Sequence, residues 1–273
     1  MTASIEVRHV ASPLSAETPR YWNGRDPFLT HFMNALSSTF PDGEAFFVRS
    51  VHHYRNRAAS DEERERIRRF GQQEGIHARQ HAAHVELLEA QGYPWIPRVN
   101  RLADRMMRWS NRRMPRTSLA TTAGLEHLTA VLARQLMAFP EKWVAPMHPD
   151  MARLWRWHAL EEAEHKAVAF DLLARVSPSH LLRCAVLFAM TLGLLFEVWL
   201  RTAYFLAKDG LFFRPSVWWR GWRRLAAPGP ARTALVRDYL AWYRRDFHPD
   251  QIDDAPLIAQ TEAALRDEGF LAA

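Results

Sequence analysis

The chain has 273 residues, with thirteen histidines and a single cysteine, Cys184. One thiol excludes an intrachain disulfide, a Cys-x-x-Cys redox pair and thiolate-rich zinc or iron–sulfur sites, so any metal must be held by imidazole and carboxylate. Lys and Arg outnumber Asp and Glu by 36 to 30, a net charge of +6, and 48% apolar residues suffice for a large buried core.

The first twenty residues are broken by Glu6, Arg8 and Glu17, so no secretory leader is expected and the cytoplasm is the expected compartment. Residues 1–25 read as an N-terminal extension, with period-2 alternation only at 4–10. A helical segment begins at Asp26-Pro27, is interrupted around Phe40-Pro41-Asp42-Gly43 and continues through Arg57. Ser60, with Glu63 three residues on, is a capping-box start for a long second helix that stops at Gly92-Tyr93-Pro94. Residues 98–116 hold seven arginines against one acid, Asp104. Trp109 is their lone aromatic, so a solvated helix face accounts for the run better than a nucleic-acid site does. Ser118 is expected to cap a third helix ending before Pro140, and Pro149-Asp150 to open a fourth ending at Ser177-Pro178.

Two pairs of long helices joined by a connection of roughly 25 residues predict an all-α fold, a four-helix bundle with one long crossover spanning 26–178. Residues 179–273 are expected to form a C-terminal helical extension packed on that bundle. Its first element is the uncharged run 184–196; at thirteen residues it falls short of the about 20 that span a bilayer and reads as a buried core helix.

Polar residues occupy the inward stripes of two of these helices. The second reads Ile67, Phe70, Glu74, His77, His81, Val85, Leu88; the fourth reads Leu154, His158, Glu162, His165, then Val168 or Ala169, and Leu172. Burying carboxylates and imidazoles without partners costs several kcal/mol, and a shared cation removes that cost. Glu-x-x-His places both groups on one helix face a turn apart, and it occurs as Glu74-Gly-Ile-His77 and Glu162-Ala-Glu-His165. Glu44 precedes the first and Glu126 the second, each amid apolar neighbours, so each half repeats a lone Glu followed by Glu-x-x-His. The tetrapeptide alone is weak, since Glu6-Val-Arg-His9 matches it outside any helix; the doubled, ordered set is the specific signal. Two metal ions are expected, one held by Glu44, Glu74 and His77, the other by Glu126, Glu162 and His165, with Glu74 and Glu162 as bridges and the catalytic centre. Glu161 and Glu164 lie about 100° off the stripe and read as solvated or supporting. His127 points elsewhere. His81 and His158 are candidates for an extra ligand, a supporting partner or a core histidine, and His52, His53, His84 and His248 for surface positions or ordinary hydrogen bonds.

The segments Phe-Pro-x-Gly-Glu-x-Phe-Phe at 40–47, Gln-Glu-Gly-x-His at 73–77, Gly-Leu-Glu-His at 124–127, Trp-His-x-x-Glu-Glu-x-Glu-His-Lys-x-Val-Ala-Phe-Asp at 157–171 and Phe-His-Pro at 247–249 resemble the bacterial family of predicted metal-dependent hydrolases. The resemblance covers about residues 25–250. That pattern is in turn similar to ferritin-like di-iron carboxylate proteins, and its spacing resembles the di-iron arylamine N-oxygenases, which add a histidine to four Glu and two His. The resemblance makes His81 the first candidate for that extra ligand.

The donor set suits iron, with manganese or zinc as alternatives. Two such ions can activate dioxygen for oxidation of an apolar or aromatic, lipid-derived substrate, with an external electron donor; alternatively, they can activate water for hydrolysis. The run Trp218-Trp219-Arg220-Gly221-Trp222-Arg223-Arg224 fits a segment packed on the bundle, a lid over a hydrophobic channel, or contact with a membrane face, which would make the protein peripheral at the inner membrane. A homodimer is also expected. A non-catalytic iron store or a pure membrane-surface module fits less well, the first because the chain is long and basic, the second because it leaves the Glu/His set unexplained.

Overall fold

The computed structural model describes residues 4–272; residues 1–3 of the expected extension lie outside it. Every regular element among the described residues is helical, and no strand occurs. Asp26 accepts hydrogen bonds from the Phe28 and Leu29 amides and, with Pro27 next, starts α1 (Pro27–Ser37). After a two-residue break, α2 (Phe40–His53) follows with Pro41 in its first turn. The amide of Glu63 donates to Ser60 Oγ at 3.1 Å, and the Glu63 carboxylate accepts from the Ala59 amide at 2.6 Å. This satisfies two otherwise orphaned donors at the start of α3 (Asp61–Ala90), whose first turn carries three acids. Just beyond its end, Gly92 takes φ +102°, a left-handed conformation suited to glycine.

Next come α4 (Ile96–Arg113), α5 (Pro115–Ala138), the short α6 (Pro140–Trp143) and α7 (Pro149–His165). They are followed by α8 (Val168–Val176), α9 (His180–Lys208), α10 (Pro215–Leu225), α11 (Pro230–Ala241) and α12 (Ala255–Asp267). Helix α2 packs on α3 and α5, α5 packs on α7, and α7 packs back on α3, so these four close a ring. Helix α9 runs along α1 and α5, while α11 and α12 pack on α5, and α12 on α7 as well. The α5–α9 approach is close: a Cβ at Gly124 would lie 3.4 Å from the Leu187 Cα. Helix α9 is also pinned by a buried arginine, Arg201, which donates to the Ser38 carbonyl at 3.1 Å and to Asn100 Oδ1 at 2.7 Å.

Three expectations need correction. Ser118 caps nothing; it is buried inside α5, which begins three residues earlier at Pro115, because proline already supplies a favourable first position. The fourth helix is not continuous: it stops at His165 and resumes at Val168. The connection between the helix pairs agrees with the solvated helix face expected there: it is mostly helical, as α4, and all seven of its arginines between 98 and 116 are exposed. The run 184–196 is not a buried core helix. It is part of the 29-residue α9, which continues past Glu197, and it packs only one side, through Leu187, Val198, Thr202 and Phe205. Phe188, Leu192, Leu195, Phe196 and Trp199 face outward and exposed.

Candidate metal centre

Each helix of the ring contributes to one buried cluster: α2 brings Glu44, α3 brings Glu74 and His77, α5 brings Glu126, and α7 brings Glu162 and His165. All six side chains are buried. The 3.6-residue period sets this arrangement, since positions three apart on α3 and on α7 stack on one face. Glu74 Oε1 lies 3.2 Å from His165 Nδ1 and 3.9 Å from His77 Nδ1, so the two helix halves meet at this carboxylate. Glu162 Oε1 lies 3.6 Å from His77 Nδ1, and Glu162 Oε2 3.5 Å from His165 Nε2. Glu126 Oε2 reaches the same His165 nitrogen at 3.7 Å. Four sets offer donor atoms within 4.8 Å of one another: Glu44, Glu74 and His77; Glu74, Glu162 and His165; His77, His158 and Glu162; and Glu44, His81 and His158. The first reproduces one expected triad; the second takes Glu74 where Glu126 was expected.

These groups have unspent hydrogen-bonding capacity. Both carboxylate oxygens of Glu44, Glu74 and Glu126, Oε2 of Glu162, Nδ1 of His77 and both ring nitrogens of His165 are buried without a hydrogen-bond partner. Buried polar atoms are nearly always paired, so ten such atoms converging on one space are anomalous for a structural core. Burial first, then the neighbouring Glu162 and Glu126, raise the Glu44 carboxyl well above its ordinary range, and Glu74 and Glu126 rise for the same kind of reason. Burial also works to raise Glu162, but His165 and His158 outweigh it and hold this carboxyl well below the usual range.

The ring orientations are set by a surrounding shell. The His77 Nε2–H donates to Glu161 Oε2 at 3.0 Å, which leaves Nδ1 as a bare acceptor facing the cluster. Glu161 and Glu164 are therefore not solvated; both are buried, because the extended segment around Arg8 covers that side of α7. Arg8 donates from Nη2 to Glu164 Oε1 at 2.8 Å and approaches Glu161 Oε1 at 3.6 Å, and Gln73 Nε2 donates to Glu164 Oε2 at 2.8 Å. Burial pushes Glu161 up to about 7 against the opposing charge of Arg8.

On the other side, a chain of imidazoles ends on Glu162. Ionised, Glu162 only accepts, so the His158 Nε2–H donates to its Oε1 at 2.7 Å. His158 Nδ1 then accepts from His81 Nε2–H at 2.6 Å, and His81 Nδ1 accepts from the Ser37 hydroxyl at 2.7 Å. Ser37 Oγ in turn accepts from His84 Nδ1–H at 2.7 Å. One direction satisfies every member, with each ring neutral, in keeping with burial lowering His158 to about 4 and holding His81 well below its ordinary value. Both nitrogens of His81 are thus engaged, while His158 stands between it and Glu162, 3.8 Å from Glu44 Oε1. His84 is buried and hydrogen-bonded, His248 donates to Asp171, and His127 points away onto Trp242.

Two participants escaped sequence reasoning, and a third was read there as solvated or supporting without sight of its cover. Arg8 lies in a segment with no helical period, and Ser37 ends α1, away from any Glu/His pattern. Glu161 was visible only as the neighbour of Glu162, with nothing local to say what would cover it. A cavity of about 710 Å³ leads outward from Glu44, His158 and Glu162 between α4, α5 and α9, past Phe40, Phe46, Phe47 and Leu125.

In comparison with known proteins, a family model described as predicted metal-dependent hydrolase matches residues 6–253. No curated protein and no solved structure matches significantly.

Proposed function

From the premise that the chain belongs to the family of predicted metal-dependent hydrolases, we propose that Glu44, Glu74, His77, Glu126, Glu162 and His165 hold two divalent metal ions that hydrolyse an apolar substrate reaching them through the cavity. The observation that carries the proposal is the set of ten unpartnered buried donor-set atoms on those six side chains. Hard oxygen and imidazole donors suit iron, manganese or zinc. Bound there, two such ions supply Lewis acidity and lower the pKa of water. Glu74 and Glu162 are the bridging candidates, since each approaches His77 and His165. Glu161 fixes the His77 tautomer, and the His81–His158 chain fixes Glu162, so neither ligand must reorient to bind. Phe40, Phe46, Phe47 and Leu125 exclude water from the inner cavity and select an apolar group beside the centre.

A second reading, activation of dioxygen by two irons in a ferritin-like bundle with an external electron donor, is favoured by four Glu and two His borne entirely on helices. Metal analysis of anaerobically purified protein, with Mössbauer or EPR spectra before and after oxygen, separates the two. Two redox-inert ions with turnover of acyl esters support hydrolysis; two irons that oxidise together support oxygen chemistry. Either way, Glu74→Ala and Glu162→Ala should each abolish stoichiometric metal binding. Full metal content in both variants would overturn the centre itself.

A further inference from the structure

The outward side of α9 has no charge across its apolar half. Leu181, Ala185, Phe188, Ala189, Leu192, Gly193, Leu195, Phe196, Trp199 and Leu200 recur every three or four residues, and all are exposed. Phe188 is 57%, Leu192 53% and Phe196 64% exposed. This stripe covers about 30 Å at 1.5 Å per residue. With a mean hydropathy of 2.0 over 18 residues, α9 is long and apolar enough to cross a bilayer. Yet its other side is taken by α1 and α5, so it cannot be surrounded by lipid.

Helix α4 lies across the cavity mouth from α9: Arg105, Met106 and Trp109 form one lip, Met190, Gly193 and Glu197 the other. Met106 and Trp109 are 64% and 58% exposed. Around them, Arg98, Arg101, Arg105, Arg112, Arg113 and Arg116 have no ion-pair partner among the described residues. Two of the acids nearby are already engaged, Asp104 by Arg108 at 2.6 Å and Arg49 at 3.3 Å, and Glu197 by Arg201 at 2.6 Å.

We propose that the outer faces of α4 and α9 dock on an anionic lipid bilayer, with α9 lying in the interfacial plane and the mouth of the cavity opening into the membrane. A bilayer offers hydrocarbon to the stripe and headgroup phosphates to the arginines at once. A second copy of the chain could meet the stripe with its own but offers nothing to the arginines, because a two-fold interface would set arginine row near arginine row. Delivery of an apolar substrate from the bilayer to the centre rests on the function proposed above; the docking itself does not.

Flotation with phosphatidylcholine vesicles, with and without phosphatidylglycerol, tests the face on the full chain. The wild-type protein should float with the anionic vesicles and bind less as salt rises. Each of Arg105→Ala and Arg112→Ala should weaken binding about fivefold, the equivalent of about 1 kcal/mol per basic residue near the surface. The triple variant Phe188→Glu, Leu192→Glu, Phe196→Glu should not float, while keeping wild-type metal content and thermal midpoint, since none of the three lines the cavity. Wild-type protein that ignores both vesicles would overturn the proposal. So would a wild-type dimer that the single Leu192→Glu variant converts to monomer with vesicle binding unchanged. Wild-type protein that floats with the anionic vesicles yet holds no metal would instead strike the metal centre and leave the docking face standing.

Discussion

The interior of the helix ring and the outer side of α9 break the same rule in opposite directions. Inside, where apolar side chains belong, six carboxylates and imidazoles converge with ten of their polar atoms unpartnered. Outside, where charge belongs, α9 presents Phe188, Leu192 and Phe196 to solvent. The two anomalies differ in the kind of cost they carry. The inner one is electrostatic, shielded from salt, and weakens the fold until a cation arrives. The outer one costs folding almost nothing, because those side chains touch little in the folded chain; it costs solubility instead. A centre is thus held by the fold and opposed by stability, whereas a docking face is tolerated by the fold.

The largest expected effect tests how firmly the inner region is held. Arg8→Ala removes the cation between Glu161 and Glu164 and leaves two buried carboxylates uncompensated. A loss of about 3–5 kcal/mol in urea unfolding is expected. An effect below about 1 kcal/mol would mean that the N-terminal segment merely lies on α7. Next in size, metal at a hundredfold excess over its dissociation constant should stabilise the wild-type protein by about 2.7 kcal/mol, seen as a raised midpoint in scanning fluorimetry. Glu44→Leu should reverse the balance. Without metal it should match or exceed the wild type, by about 1 kcal/mol, because a desolvated carboxyl is gone; with metal it should gain less. A metal-free Glu44→Leu protein that is strongly destabilised would show that the inner cluster supports the fold rather than opposing it. The exposed triple variant on α9 is the counterpart, expected within about 0.5 kcal/mol of wild type.

Much of this was legible in the chain itself, for a physical reason. Helical periodicity is local, so Glu74, His77, Glu162 and His165 could be assigned to inward stripes from spacing alone, and the doubled order then drew in Glu44 and Glu126. What covers the next 100° of α7 is not local. Arg8 lies 153 residues from Glu161, and nothing in either segment announces the other. The same limit explains the misplacement of residues 184–196. An uncharged stretch must leave water or meet something apolar, but the sequence does not say whether protein or membrane meets it. Ser118 failed for another reason: two start signals three residues apart compete, and Pro115 wins.

The smallest prediction sets a sign against a sign. His248 Nε2–H donates to Asp171 Oδ1 at 2.8 Å, and that bond raises the imidazole above its ordinary 6.5. Asp250 supports the shift, while burial and Arg66, 3.4 Å from the other Asp171 oxygen, oppose it. A raised folded pKa means that the stabilisation is complete below about 6.5 and is lost as pH climbs through the folded value. With the pair over a third exposed at the histidine, the effect is at most about 0.5 kcal/mol. The inner centre runs the other way, since protons compete with metal for its carboxylates, and loaded protein should gain stability as pH rises from about 6 to 8. Asp171→Asn should therefore steepen the rise in the loaded protein by removing the opposing contribution. If the variant and the wild type follow parallel curves over that range, the His248–Asp171 bond contributes nothing, and the rise belongs to the centre alone.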